Sequence, residues 1–169
     1  ETDPFIRNAV GCMEFGGCFL NKRLNRNNDG GTTRRTTDIF QLATTVLFQN
    51  PVQNFALAPN NLKDVSPVCM DYMKTVPTTW DETCFIDGYP GKYVVLARRH
   101  GNTWYLAAVN AGKEIVKLKL DLDMFAGKTV SLYKDDKKGE PQLVTLKVKE
   151  SGKVQLEILP QGGVVLVNN

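Results

Sequence analysis

The sequence has 169 residues, of which 42% are hydrophobic and 23% charged, and its formal net charge is +3. That profile is globular, with room for one ordinary domain or two small ones. The charge excess is too small and the lysines too dispersed for a nucleic-acid surface, and no apolar run is long enough to cross a bilayer as a helix.

The chain begins at Glu1 without a positively charged and then apolar leader, so it reads as a processed chain or an excised piece. Residues 9–20, AVGCMEFGGCFL, are apolar and glycine-rich and predict a buried strand with the loop that leaves it. Glu14 follows the apolar part of that run and is the candidate for a carboxylate lining a sugar site; a hydrogen bond to the loop or to Arg7 is the plainer role. Residues 21–31, NKRLNRNNDGG, are loop by composition. They lack both the lysine–hydroxyl pair and the glycine spacing of a phosphate cradle.

The clearest helix comes next. Ile39, Leu42, Ala43, Val46 and Leu47 recur at helical spacing and make one apolar stripe. Thr37 or Asp38 can cap it, Gln41 is placed for a capping box with Asp38, and Asn50-Pro51 ends it. Pro51 then suits the start of a short second helix with Val52, Phe55 and Ala56 inward. Ser66-Pro67 predicts another cap and first turn, followed by an apolar face of Val68, Cys69, Tyr72, Met73 and Val76, and Pro77 stops it.

VPTTWDETCFIDGYPGKYVVLARR, residues 76–99, mixes the carboxylates Asp81, Glu82 and Asp87 with Trp80, Phe85, Tyr89 and Tyr93. Glycoside cleavage needs two carboxyl groups across a sugar ring, and this trio holds enough of them. Neighbours 81 and 82 would point to opposite sides of an extended chain, however. Asp81 capping a turn after Thr78-Thr79, and Asp87-Gly88 forming a second turn, are simpler roles. Trp80, Trp104, Tyr89, Tyr93 and Tyr105 could stack on sugars, which would make a carbohydrate-binding β-sandwich module; core packing is the alternative use of such rings. In WYLAAVN, Trp104 and Leu106 share one face and Tyr105 and Ala107 the other.

From Lys92 onward the period is two. YVVLAR, WYLAAVN, the alternating run from Val116 to Leu122, Val130 with Leu132, Val144 to Val148, Val154 to Ile158 and the closing VVLV give about seven short strands separated by turns. This is the pattern of an antiparallel β-sandwich. Cys12, Cys18, Cys69 and Cys84 form no paired motif, and the single His100 lies in the turn RRHGN, so no metal ligand set is expected. The cysteines read as small core residues, with a disulfide open if the protein is exported. The segment before residue 77 has a strand, a loop and a long helix but no complete core, and fits the last strand–helix unit of a barrel better than a free domain.

RNAVGCMEF resembles the RNxVGPMDF stretch of glycoside hydrolase family 97. TRRTTDIFQLATTVLFQNPVQNFALAPNNL resembles the helix and loop that follow it in that family, and VPTTWDETCFIDGYPGKYVVLARRHGNTWYLAAVNA its junction into the C-terminal domain. The resemblance implies an α+β chain: residues 1–76 as the helical tail of a (β/α)8 catalytic barrel, and 77–169 as the C-terminal sandwich, regarded as an oligomerisation domain. It implies a larger parent that hydrolyses α-glucosides or α-galactosides, is periplasmic or exported, and holds calcium near catalytic carboxylates upstream of RNAVGCMEF. No catalytic residue and no metal ligand is then expected within this chain, and its partners are the rest of the enzyme or sister subunits. Glu14, Cys12 and Cys84 depart from the family's Asp, Pro and Arg at those places. Alone, the chain is expected to be inert and to expose an apolar surface of Ile39, Phe40, Leu47 and Phe48.

Overall fold

The computed structural model describes residues 2–13, 17–20, 34–57, 59 and 62–168. The first half supplies a helical turn α1 (Arg7–Val10), strand β1 (Cys18–Phe19), helix α2 (Asp38–Leu47), strand β2 (Phe55–Ala56) and helix α3 (Pro67–Met73). Eight strands follow: β3 (Glu82–Tyr89), β4 (Tyr93–His100), β5 (Thr103–Asn110), β6 (Val116–Asp121), β7 (Thr129–Asp135), β8 (Pro141–Lys147), β9 (Lys153–Ile158) and β10 (Gly163–Asn168).

Six of these form one antiparallel sheet in the order β3-β4-β5-β10-β7-β8, and β6 pairs with β9 in a second, two-stranded sheet. β1 and β2 make a short parallel pair. The expected antiparallel sandwich is present, and its layering follows from the sequence. β6 and β9 alternate apolar and polar residues, so Leu118, Leu120, Val154, Leu156 and Ile158 turn inward while Lys117, Lys119, Lys153 and Glu157 face water. The central strands do not alternate. VVLA, LAAV and VVLV bury both of their faces, as a strand covered on both sides must.

Two cores result. Val95, Ala97, Leu106, Ala108, Val164 and Leu166 pack with Phe125 and the inward residues of β6 and β9. Val94, Leu96, Tyr105, Ala107, Val109, Val165 and Val167 pack with Ile39, Leu42, Ala43, Val46 and Leu47 of α2 and with Cys69 and Tyr72 of α3. The second core is therefore built jointly by the first half of the chain and the large sheet.

Helix α2 is an apolar rod. Nine of its ten residues are buried, which is why its sequence is hydrophobic well beyond one stripe. Its polar residues are satisfied locally: Thr44 and Thr45 donate to the Gln41 and Leu42 carbonyls at 2.6 Å each. Burying Ile39, Leu42, Val46 and Leu47 stabilises the fold by roughly 1.5–3 kcal/mol each.

Several expectations are corrected. Ile39, Phe40 and Leu47 are not left uncovered: they are 0%, 7% and 1% exposed because α2 lies on the sheet and under its neighbours. Among the described residues of the first half, the large exposed apolar side chains are instead Ile6, Val10, Phe19, Val52 and Leu62. No second helix follows Pro51; Val52 is exposed and Phe55–Ala56 is strand, paired to β1. The run expected as a strand starts with the turn of α1, and among its described residues only Cys18–Phe19 is strand. α2 stops at Leu47, ahead of Asn50-Pro51. Asp87-Gly88 is no turn but lies inside β3, one strand more than the seven expected, where a bulge between Phe85 and Asp87 shifts the register. Gly88 sits at φ 153°, and a Cβ there would come within 2.9 Å of the Tyr93 carbonyl oxygen.

Candidate functional site

Both ends of α2 are tied to the sheet by polar groups. At the N-terminus, Thr37 caps the helix: its hydroxyl accepts from the Phe40 N–H at 3.1 Å and donates to Asp135 Oδ2 at 2.9 Å. The same carboxylate oxygen accepts from the Gly163 N–H at 3.0 Å, and the Thr37 N–H donates to the Gln161 carbonyl at 3.0 Å. Asp135 ends β7 and Gly163 begins β10, so one carboxylate joins helix and sheet. Gln41 does not close a capping box with Asp38. Its amide donates to Thr36 Oγ1 and its carbonyl oxygen accepts from the Phe19 N–H, while Asp38 pairs with Arg34.

The close approach needs glycine. A Cβ on Gly163 would lie 2.8 Å from the Ile39 carbonyl oxygen and from the Phe40 Cα, both backbone atoms that cannot move aside cheaply. Burial pushes the Asp135 carboxyl up to about 6, against the lowering effect of its two hydrogen bonds, with Asp38 and Asp136 adding repulsion. Its Oδ1 is buried without a partner.

At the C-terminus of α2, Arg98 of β4 donates to the Leu47 carbonyl at 3.4 Å. A cation suits the negative end of a helix. Arg98 is 1% exposed, and burial pulls its guanidinium down to about 10. Tyr72 of α3 closes the joint, its hydroxyl 3.1 Å from Thr45 Oγ1 and its ring edge-on to Tyr133 at 5.0 Å. Cys18 and Cys69 are buried free thiols whose environment raises both to about 12, so they pack and do not react. Cys12 and Cys84 are free as well.

The acid–aromatic segment is held in a different way. Asp81 Oδ2 accepts from the Gly101 N–H at 2.7 Å, and Glu82 Oε2 accepts from Arg99 Nε at 3.2 Å. Asp87 Oδ1 accepts from the Gly88 N–H at 2.8 Å. Each carboxylate is thus committed to a backbone N–H or an arginine, and His100 Nδ1 meets the Thr79 carbonyl at 2.9 Å. The bonds of Asp81, Glu82 and His100 fasten the entry of β3 to the β4–β5 hairpin.

Trp80 packs in the helix-side core, edge-on to Tyr105 at 5.3 Å. Trp104 packs in the opposite core, with the Arg99 guanidinium 5.9 Å over its ring. The two tryptophans lie on opposite faces of the sheet and make no common platform. Tyr89 is exposed with Lys92 above it at 4.7 Å. Glu14 lies outside the described residues. Among the described residues, no three His, Cys, Asp or Glu side chains gather at one point. Calcium takes six to eight oxygen ligands, so these residues do not fit a calcium site.

Sequence reasoning missed Asp135, Gly163 and Arg98. Asp135 stands 98 residues from Thr37, and nothing in the turn DDKKGEP signals a partner so far away.

Comparison with known proteins gives these polar joints a context. A family model described as glycosyl-hydrolase 97 C-terminal, oligomerisation, matches residues 79–167. A retaining α-galactosidase of Bacteroides thetaiotaomicron is 27% identical over 180 aligned residues, which cover 96% of this chain and 26% of that protein. A crystal structure of a β-arabinopyranosidase superposes with TM-score 0.94 at 84% identity, covering 97% of this chain and 26% of that one. A glycoside hydrolase family 97 enzyme from Pseudoalteromonas sp. strain K8, an R171K variant, superposes with TM-score 0.82 at 26% identity, covering 99% of this chain and 28% of that one. The chain spans 16–26% of the length of the curated relatives it matches.

Proposed function

This chain belongs to glycoside hydrolase family 97, and from that premise we propose that it is a structural part of a larger glycosidase, serving to dock the C-terminal sandwich against the rest of the enzyme and to join subunits. The observation that carries this reading is the shared core: α2 is bound to the sheet at both ends and along its length. Residues 1–76 are the tail of the catalytic barrel and 77–169 the sandwich. The parallel β1–β2 pair and the buried α2 support that division, because a strand pair of this kind belongs to strand–helix architecture. The exposed Ile6, Val10, Phe19, Val52 and Leu62 all belong to the first part, and supply its apolar contact with the remainder of the barrel.

The parent enzyme cleaves a non-reducing terminal glycoside. The 84% identity to a β-arabinopyranosidase favours a β-arabinopyranoside as its substrate. A β-L-arabinopyranoside has the ring configuration of an α-D-galactopyranoside with the hydroxymethyl group replaced by hydrogen. The α-galactosidase relative therefore fits the same stereochemistry. The carboxylates that perform the reaction and the calcium beside them lie outside the described residues, and the parent works in the periplasm or beyond it.

The test is an assay of purified residues 1–169 with nitrophenyl β-L-arabinopyranoside, α-galactoside and α-glucoside in the presence of calcium. No turnover is expected. Turnover above that of a Glu14→Gln control would overturn the non-catalytic assignment. With the parent enzyme, a preference for the α-glucoside would overturn the substrate assignment.

A further inference from the structure

The large sheet ends in two strands, and only one of them is protected. β3 is blunted by its bulge and by Gly88, and its entry is covered by the Asp81, Glu82 and Arg99 ion pairs. The strands of the small sheet carry outward lysines and a glutamate. β8, PQLVTLK, has no bulge, and its Pro141 and Lys147 stand only at its two ends. It pairs regularly with β7 along its whole length, and no charged residue stands between Glu140 and Lys147. Leu143 is 47% exposed on one face and Val144 38% on the other.

The ladder shows which backbone groups are free for pairing. Bonds from the Val148 N–H to the Lys128 carbonyl and from the Asp136 N–H to the Glu140 carbonyl flank the β7–β8 pairing. Antiparallel bonding alternates, so Gln142, Val144 and Leu146 bond to β7. Leu143, Thr145 and Lys147 direct their N–H and C=O groups away from the sheet. An edge that pairs regularly and carries no charge between its ends is a template for another strand.

We propose that β8 pairs with β8 of a second copy of the enzyme, antiparallel about a two-fold axis at Val144. This specifies the surface for the subunit joining proposed above and rests on that reading. The occupant is a second copy because residues 79–167, which include β8, match a model described as an oligomerisation domain, and because the strand is complementary to itself. An antiparallel pair of identical strands is the natural two-fold contact. Centred on Val144, the pairing sets Leu143 and Thr145 opposite each other, and both have outward backbone groups. Val144 then faces its own counterpart at a close, non-bonded position. Lys147 faces Pro141, and Glu140 faces Val148, so no like charges meet.

The experiment uses the full-length parent enzyme and sedimentation velocity across a concentration series. Val144→Lys sets two ammonium groups face to face and should weaken association on the order of 100-fold, as should Val144→Glu. An equimolar mixture of the two variants should restore it, a rescue that only a self-opposed position gives. Thr145→Pro removes an outward N–H while sparing the bonds to β7, and should also weaken association; the charge-swap mixture decides the matter if that variant folds poorly. Wild-type enzyme that is monomeric throughout would overturn the subunit-joining reading and this proposal with it. Wild-type association unchanged in Val144→Lys and Val144→Glu would overturn the β8 pairing alone.

Discussion

The two faces of the six-stranded sheet are covered in different ways. One carries β6 and β9, which come from the same stretch of chain as the sheet. They meet it through side chains that alternate in and out. The other carries α2, which arrives from before the first strand and is fixed by a carboxylate, a glycine contact and a buried arginine. The β6–β9 layer is held by apolar burial and by one buried amide, Asn110 of β5, which donates to the Ile158 and Leu159 carbonyls at 3.2 and 3.1 Å. A layer brought from far along the chain also needs its position specified, and polar groups with few geometric solutions do that.

Equal dependence of stability on both cores is the first way to test this contrast. Phe125→Ala on the β6–β9 side should cost about 3–5 kcal/mol, and Leu42→Ala on the helix side about 2–5 kcal/mol. Both are read from urea unfolding followed by far-UV circular dichroism. A Leu42→Ala loss below about 1 kcal/mol would break the claim that α2 belongs to the sheet's core.

Asp135 gives the helix face a pH dependence. Its carboxyl titrates near 6 in the folded chain and near 3.8 when unfolded. Between those values the folded state keeps the proton that the unfolded state has lost. Stability from this group is therefore complete below about pH 4, falls as pH rises through 6, and stays lost above it. The shift corresponds to about 3 kcal/mol. Melting temperatures measured from pH 4.5 to 7.5 should fall more steeply in the wild type than in Asp135→Asn; parallel curves would remove Asp135 from the joint.

Gly163→Ala should cost roughly 1–3 kcal/mol, because the new methyl group meets helix backbone and not a flexible side chain. Thr37→Ala removes the cap and the bond to Asp135 and should cost about 1 kcal/mol. Thr37→Ser, which keeps the hydroxyl, should recover most of it in the same denaturant titration.

Much of this architecture was legible beforehand, but unevenly. β6 and β9 follow a strict period of two, so their inward faces could be named residue by residue. The central runs VVLA, LAAV and VVLV held a further signal, since continuous apolar strands mean cover on both sides. Read that way, they place a second layer on the sheet and remove the expectation of a bare apolar face at Phe40 and Leu47. β3 escaped notice because Asp87-Gly88 is a turn by composition, and a bulge uses the same residues. The motifs of residues 76–99 carry the family resemblance, while their carboxylates are spent on the backbone N–H groups of Gly88 and Gly101 and on Arg99. Asp135, Gly163 and Arg98 leave no local trace, because their partners stand 28, 51 and 98 residues away or more.

Amide hydrogen exchange under native conditions tests the shared core most directly. The slowest amides of α2, such as those of Ala43 and Val46, should open with the same free energy as those of Leu106 and Ala107 in β5, and both should rise together with added stabilising osmolyte. Exchange of the α2 amides at a much lower opening free energy, with β5 still fully protected, would show that the helix is an appendage on a sandwich that stands without it.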